Sequence, residues 1–210
     1  MSDRAREEVL KTYDVSRETR QALDAYVAQL HRWQTVKNLV GPSTLSEVWS
    51  RHVADALQLL TLAPDACTWI DLGSGAGIPG LILAIAGKER GIQVTLVESN
   101  ARKCAFLTET ARLTAAPARV HNARIEQVIG THRGVAVVCA RALAPLAQLL
   151  AWAEPLLTTG TVGLFPKGRD VQSELTEAAQ RWRFVYDLVP SRTESEARIV
   201  RVTTLSRVDS

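Results

Sequence analysis

Between Asp71 and Gly80 the chain reads Asp-Leu-Gly-Ser-Gly-Ala-Gly-Ile-Pro-Gly, with four glycines in the last eight residues. No other stretch constrains the fold as tightly. Residues 68–72 before it are an apolar run of strand length, and residues 81–86 after it continue as an apolar helix. Glycines at such a junction let the backbone turn sharply and come close to a ligand, because no Cβ intervenes. A strand, a glycine turn and a helix in this order open a βαβ unit, and open α/β sheets hold ligands at that carboxyl-end turn.

Downstream the alternation repeats. The pattern predicts strands over 92–97, 119–121, 135–139 and 162–165, with helices over 101–114, 145–157 and 171–180. Two closing strands, 184–189 and 198–202, have no helix between them and predict an antiparallel hairpin at the sheet edge. Upstream, Leu23, Tyr26, Val27, Leu30 and Trp33 form one apolar stripe at helical spacing. Gly41-Pro42 interrupts it, and Ser43 or Thr44 is expected to cap a second helix running to Leu60. The expected architecture is a helical extension over 1–64 and a Rossmann-like α/β domain over 65–210. Its seven-stranded, mostly parallel sheet, covered on both faces, is the arrangement of the class I S-adenosylmethionine-dependent methyltransferase fold.

The acid Glu98 follows the second strand, where it can accept hydrogen bonds from both hydroxyls of a nucleoside ribose. Gly75-x-Gly77-x-x-Gly80 also matches the dinucleotide fingerprint, and Glu98 lies near the spacing of about 20 residues which that motif expects. A nicotinamide oxidoreductase and a non-catalytic nucleotide-binding domain therefore stand as alternatives. Two features favour S-adenosylmethionine. Asp71 starts the turn as D-x-G-x-G-x-G, and no Tyr-x-x-x-Lys pair follows for hydride transfer. There is no P-loop lysine either.

The order Asn38-Leu39, Arg51-His52-x-x-Asp55, DLGSGAGIPG over 71–80, Glu98-Ser99, Arg102-Lys103, Arg124-Ile125-Glu126, Ala140-Arg141-Ala142 and Lys167-Gly168 resembles the methyltransferase G family, also called glucose-inhibited division protein B. The resemblance covers roughly residues 30 to 170. It implies methylation of a guanine N7 in the 530-loop region of bacterial 16S ribosomal RNA, with S-adenosyl-L-methionine as cofactor and S-adenosyl-L-homocysteine as product. By the same resemblance Asp71, Gly73, Gly75, Gly77 and Ile78 carry the methionine part of the cofactor. Glu98 holds the ribose, Ile125 and Glu126 line the adenine, and Arg141 serves the cofactor and stands nearest the reaction. Asn38, Arg124 and Lys167 are the candidate RNA contacts.

Guanine N7 carries an in-plane lone pair and no proton, so its methylation needs alignment rather than a general base. The absence of an NPPY or DPPY tetrad after the fourth strand disfavours amino methylation. Cys139 ends that strand, but without the Pro-Cys context of a pyrimidine C5 nucleophile it reads as a packed thiol. Cys67, Cys104 and Cys139 stand far apart with no CxxC, so three buried thiols are expected, with no metal. His52 and Asp55, one helical turn apart, are expected to pair with each other. A net charge of +3 gives little electrostatic grip on free RNA, so a small ribosomal subunit or its precursor is the expected partner. The first residues, MSDRAREEV, lack an apolar leader, and no apolar run reaches the ~20 residues needed to cross a bilayer. A cytoplasmic monomer with no membrane partner is expected.

Overall fold

Residues 2–34, 39 and 41–208 are described in the computed structural model. Helices α1 (Ser2–Thr12) and α2 (Arg17–Gln34) open the chain. The predicted stripe is the inner face of α2: Leu23, Tyr26, Val27 and Leu30 are buried. Trp33 packs edge-on against Phe106 with ring centroids 5.7 Å apart.

The next helix is not capped as the sequence suggests. Winding begins at Pro42 with Gly41 before it and no side-chain cap, as a tight 3₁₀ stretch, Pro42–Glu47. It widens to a π-helical turn over Val48–Val53 and settles into α3 (Ala54–Leu62). Proline supplies the fixed φ for a helix start and lacks an N–H that would need capping.

The sheet then follows: β1 (Thr68–Leu72), α4 (Gly80–Ala86), β2 (Gln93–Glu98), α5 (Ala101–Leu113), β3 (Ala118–Asn122), a short α6 (Ile125–Val128), β4 (Val137–Cys139), α7 (Leu146–Leu157), β5 (Val162–Lys167), α8 (Val171–Ala179), β6 (Trp182–Pro190) and β7 (Arg198–Arg207). Its order is β3-β2-β1-β4-β5-β7-β6. The strands from β1 to β5 pair in parallel, while β7 runs antiparallel to both β5 and β6. The closing hairpin thus sits at the edge, both strands longer than the sequence pattern predicts. The helix α6 has no counterpart in the sequence reading.

Successive strand residues face opposite layers. Trp69 and Val137 join the apolar cluster made with α1 to α5, whereas Ile70, Leu72 and Val138 join the one made with α7 and α8. The helices before residue 64 therefore share one core with the sheet. Cys104 and Cys139 are buried, but Cys67 is exposed, which corrects the expectation of three buried thiols. It lies in the turn entering β1, outside both apolar layers. Among the described residues no helix is long and apolar enough to cross a membrane, and no three potential metal ligands gather.

Candidate functional site

Strand order reverses between β1 and β4, and the site lies outside the carboxyl ends of those strands. The glycine turn is fastened there from below. Gly73 and Ser74 donate backbone N–H groups to the Val97 carbonyl at 2.9 and 3.0 Å, and Gly77 donates to the Ser74 carbonyl at 2.7 Å. Asp71 is fully buried and its carboxylate accepts the Gly80 N–H at 3.1 Å. Burial pushes its pKa up to about 7, partly offset by the hydrogen bonds of Ser74, Gly80 and Cys139.

Glycine is required at Gly73 and Gly75 for different reasons. Gly73 has φ +67, and a Cβ there would sit 2.5 Å from Leu143 Cδ1. Gly75 has φ +54, but a Cβ there would meet nothing closer than the Gly73 carbonyl at 3.7 Å, so a ligand can come against its backbone.

Glu98 is held by the same loop. Its Oε2 accepts the Gly75 N–H at 3.0 Å and its Oε1 accepts the Asn100 N–H at 2.8 Å, while Asn100 caps α5. The carboxylate is thus fixed by two backbone amides at the rim of a cavity of about 550 Å³. That cavity is also walled by Gly73, Gly75, Ile78, Ile125, Glu126, Arg124 and Arg141. Asp71 and Gly77 do not reach it. Asp71 lies beneath the loop, and a Cβ on Gly77 would meet Leu81 at 2.6 Å, so both serve the turn's packing. Glu126 Oε1 accepts the indole N–H of Trp152 at 2.8 Å. Trp152 lies on α7, and nothing in the sequence marks it for this contact.

A second cavity of about 460 Å³ adjoins the first, and Arg51, Arg141, Ala142 and Leu143 border both. Ala142 adopts φ +51, unusual for a residue with a Cβ, and turns the chain between Arg141 and Leu143. Lys167 borders the second cavity, but not as a free hook for phosphate. Its side chain is 8% exposed, its ammonium donating to the Ala144 carbonyl at 2.7 Å and pairing with Glu174 at 2.7 Å. Arg124 is exposed at the mouth of the first cavity. Asn38 lies outside the described residues.

The expected His52–Asp55 pair is replaced by a different arrangement. Both side chains turn to Arg141: Nη1 lies 2.8 Å from His52 Nδ1 and Nη2 lies 3.2 Å from Asp55 Oδ2. Residues three apart on a helix share a face, and a partly buried cation facing them draws both. Burial, with Arg141 and Arg51 beside it, lowers the His52 pKa to about 4, so the ring is neutral. Asp55 also accepts from Thr193 of the β6–β7 loop, a contact without a sequence signal. Cys139 is fully buried against Asp71, its thiol pushed well above the usual range by burial.

On the expectation that Glu98 holds the ribose, Glu98→Ala should weaken binding of S-adenosylhomocysteine by about 1.5–3 kcal/mol, with the Gly75 and Asn100 amides losing their acceptor as well. Isothermal titration calorimetry reads this directly. Tight NADH binding with no S-adenosylhomocysteine binding would contradict it.

Residues 19–199 match the family described as rRNA small subunit methyltransferase G. Among curated proteins the chain is 75% identical over 210 residues to "Ribosomal RNA small subunit methyltransferase G" of Methylorubrum populi, covering 100% of both chains. It is 76% identical over 206 residues to the protein so named in Methylobacterium radiotolerans, covering 98% of each. Among solved structures, a methyltransferase from Geobacter sulfurreducens superposes with TM-score 0.57 at 10% identity, over 85% of this chain and 88% of that one. The magnesium protoporphyrin IX methyltransferase of Synechocystis, solved with bound SAM, gives 0.54 at 13% identity, over 83% and 90%. These structural likenesses show a shared fold.

Proposed function

The chain belongs to the rRNA small subunit methyltransferase G family, and from that premise we propose that it methylates N7 of a guanine in the 530-loop region of 16S ribosomal RNA, using S-adenosylmethionine. The oxidoreductase and the non-catalytic readings lapse with the family. The observation that carries the reading is the pair of adjoining cavities at the sheet's switch point, divided by Arg141, Ala142 and Leu143. One suits a nucleoside cofactor and the other an acceptor base.

The residues present fit the cofactor. The open backbone at Gly75 leaves room where a Cβ would intrude, and Glu98 is a preset acid for the ribose. Gly73 and Ile78 would flank the methionine part, with Ile125 and Glu126 at the adenine. When bound, the sulfonium supplies an activated methyl group and its own leaving group. The chain's residues have to align the acceptor and keep water out, which is catalysis by proximity. No proton has to leave N7, which agrees with a neutral, Arg-bound His52 and an inaccessible Cys139 thiol. Arg141, in the dividing wall, is the candidate catalytic residue. Asn38 and Arg124 are proposed RNA contacts, while Lys167 shapes the acceptor side from within.

On the same reading the helices of 1–64 cover the cofactor end of the 65–210 domain. The protein works in the bacterial cytoplasm as a monomer, on a small ribosomal subunit or its precursor. Mapping methylated nucleotides after incubation with isolated subunits and with short naked hairpins tests this. One guanine N7 should be modified, faster on subunits, with salt-sensitive binding in which each phosphate contact adds about 0.7–0.9 to the slope. Methylation of another atom, or equal rates on both substrates, would overturn the proposal.

A further inference from the structure

Arg141 sits between partners that an ordinary core would not retain. A guanidinium only donates, so His52 Nδ1 must accept from it and the ring proton must lie on Nε2. Among the described residues that buried Nε2 has no hydrogen-bond partner. A partly buried ion pair at a cavity wall and an orphaned ring N–H are poor devices for stability, since both give up hydration that they do not fully recover. They make sense where the position of a group matters more than its energy.

The same helix is stapled to the β6–β7 loop. Arg51 pairs with Glu194 at 2.9 Å, Gln58 Nε2 donates to the Pro190 carbonyl at 2.8 Å, and the Arg192 N–H donates to Gln58 Oε1 at 3.0 Å. Asp55 joins both systems, taking Arg141 on one oxygen and the Thr193 hydroxyl on the other. Thr193 in turn lies 3.1 Å from the Ser191 hydroxyl. Arg51, Asp55, Thr193 and Glu194 all border the second cavity.

The geometry points to His52 and Asp55 as positioning residues for methyl transfer: they fix the Arg141 guanidinium in the wall between the two cavities, and Asp55, through Thr193, ties that wall to the loop that closes the acceptor side. This rests on the methyltransferase reading above, which assigns the cavities. Cofactor site and acceptor site are then set by one group with a shared mounting.

S-adenosylhomocysteine binding by the unaltered protein is measured first, and its absence sinks the reading of the cavities itself. In a binding-competent protein, His52→Leu removes the acceptor while keeping bulk, and His52→Asn offers an amide oxygen near the Nδ1 position. His52→Leu should lower kcat on small ribosomal subunits about tenfold, with His52→Asn recovering to within about threefold of the unaltered protein. Thr193→Val, which keeps shape and leaves Arg141 untouched, should raise KM for the subunit about threefold or more with little change in kcat. In an Arg141→Ala background, His52→Leu and Asp55→Asn should each change turnover less than about twofold, because groups acting through Arg141 have nothing left to act on. Melting temperatures are recorded for each. Losses that add in full to that of Arg141→Ala, or equal defects in the two His52 variants, would overturn the positioning role. So would a Thr193→Val protein with unchanged KM.

Discussion

Arg141→Ala should lower methyl transfer about 10²–10³-fold, the scale seen when one preorganised donor is removed from a reacting centre. Arg141→Lys should recover little, since one ammonium cannot reach His52 and Asp55 together in the planar fork that a guanidinium presents. Stability will fall as well. Among the described residues Asp55 is left with the Thr193 hydroxyl as its hydrogen-bond donor, and breaking such a pair costs about 3–5 kcal/mol when fully buried, less here at the cavity wall. Lost activity alone is therefore ambiguous. The double variant Arg141→Ala/Asp55→Ala separates the two effects, because it removes the stranded carboxylate together with its partner. It should regain most of the melting temperature lost by Arg141→Ala and none of the turnover. If turnover returns with stability, Arg141 is a structural ion-pair partner and nothing more.

The sequence carried this far for the parts that depend on local pattern, and stopped where contacts are made across the chain. Strand β1, the glycine turn and the edge hairpin could be read because periodicity and glycine spacing are local signals. The placement of Glu98 beside the turn could be read because its distance from the turn is fixed by one βαβ unit. His52 and Asp55 differ from the sequence expectation for the opposite reason. Spacing places two residues on one helix face, but their partner Arg141 lies 89 residues from His52 in sequence. Nothing between them encodes that meeting except the fold itself. Lys167 shows the same limit: a basic residue at a strand end reads as a candidate RNA contact, while α8 brings Glu174 against it. Asp71 marked the turn correctly in the motif, yet the motif does not say that its carboxylate faces inward, away from the cavity.

The glycine turn makes the division between packing and binding testable at single positions. Gly80→Ala should destabilise the protein by about 1–3 kcal/mol or more, as overpacking a tight core does. Gly80 is the first residue of α4, and a Cβ there would lie 2.4 Å from Leu96 Cδ2 and 2.6 Å from both Asp71 Cβ and Asp71 Oδ2. None of these atoms is the free end of a surface side chain. Leu96 and Asp71 belong to neighbouring buried strands, so either α4 moves off the sheet or the fully buried carboxylate loses the Gly80 N–H. Gly75→Ala is the contrast. Its Cβ would meet nothing closer than the Gly73 carbonyl at 3.7 Å, so only the positive φ resists it, at about 1–2 kcal/mol. That methyl group would instead project where the cofactor's backbone contact is expected, and S-adenosylhomocysteine binding should fall more than stability does. Urea denaturation of both variants beside calorimetric titration resolves the two effects. Gly80→Ala should lower the midpoint at an unchanged m value, with binding weakened only in proportion to the folded fraction. Equal stability losses at the two positions would mean that backbone conformation alone, and not the close contact of α4 with β1 and β2, is what demands glycine in this turn.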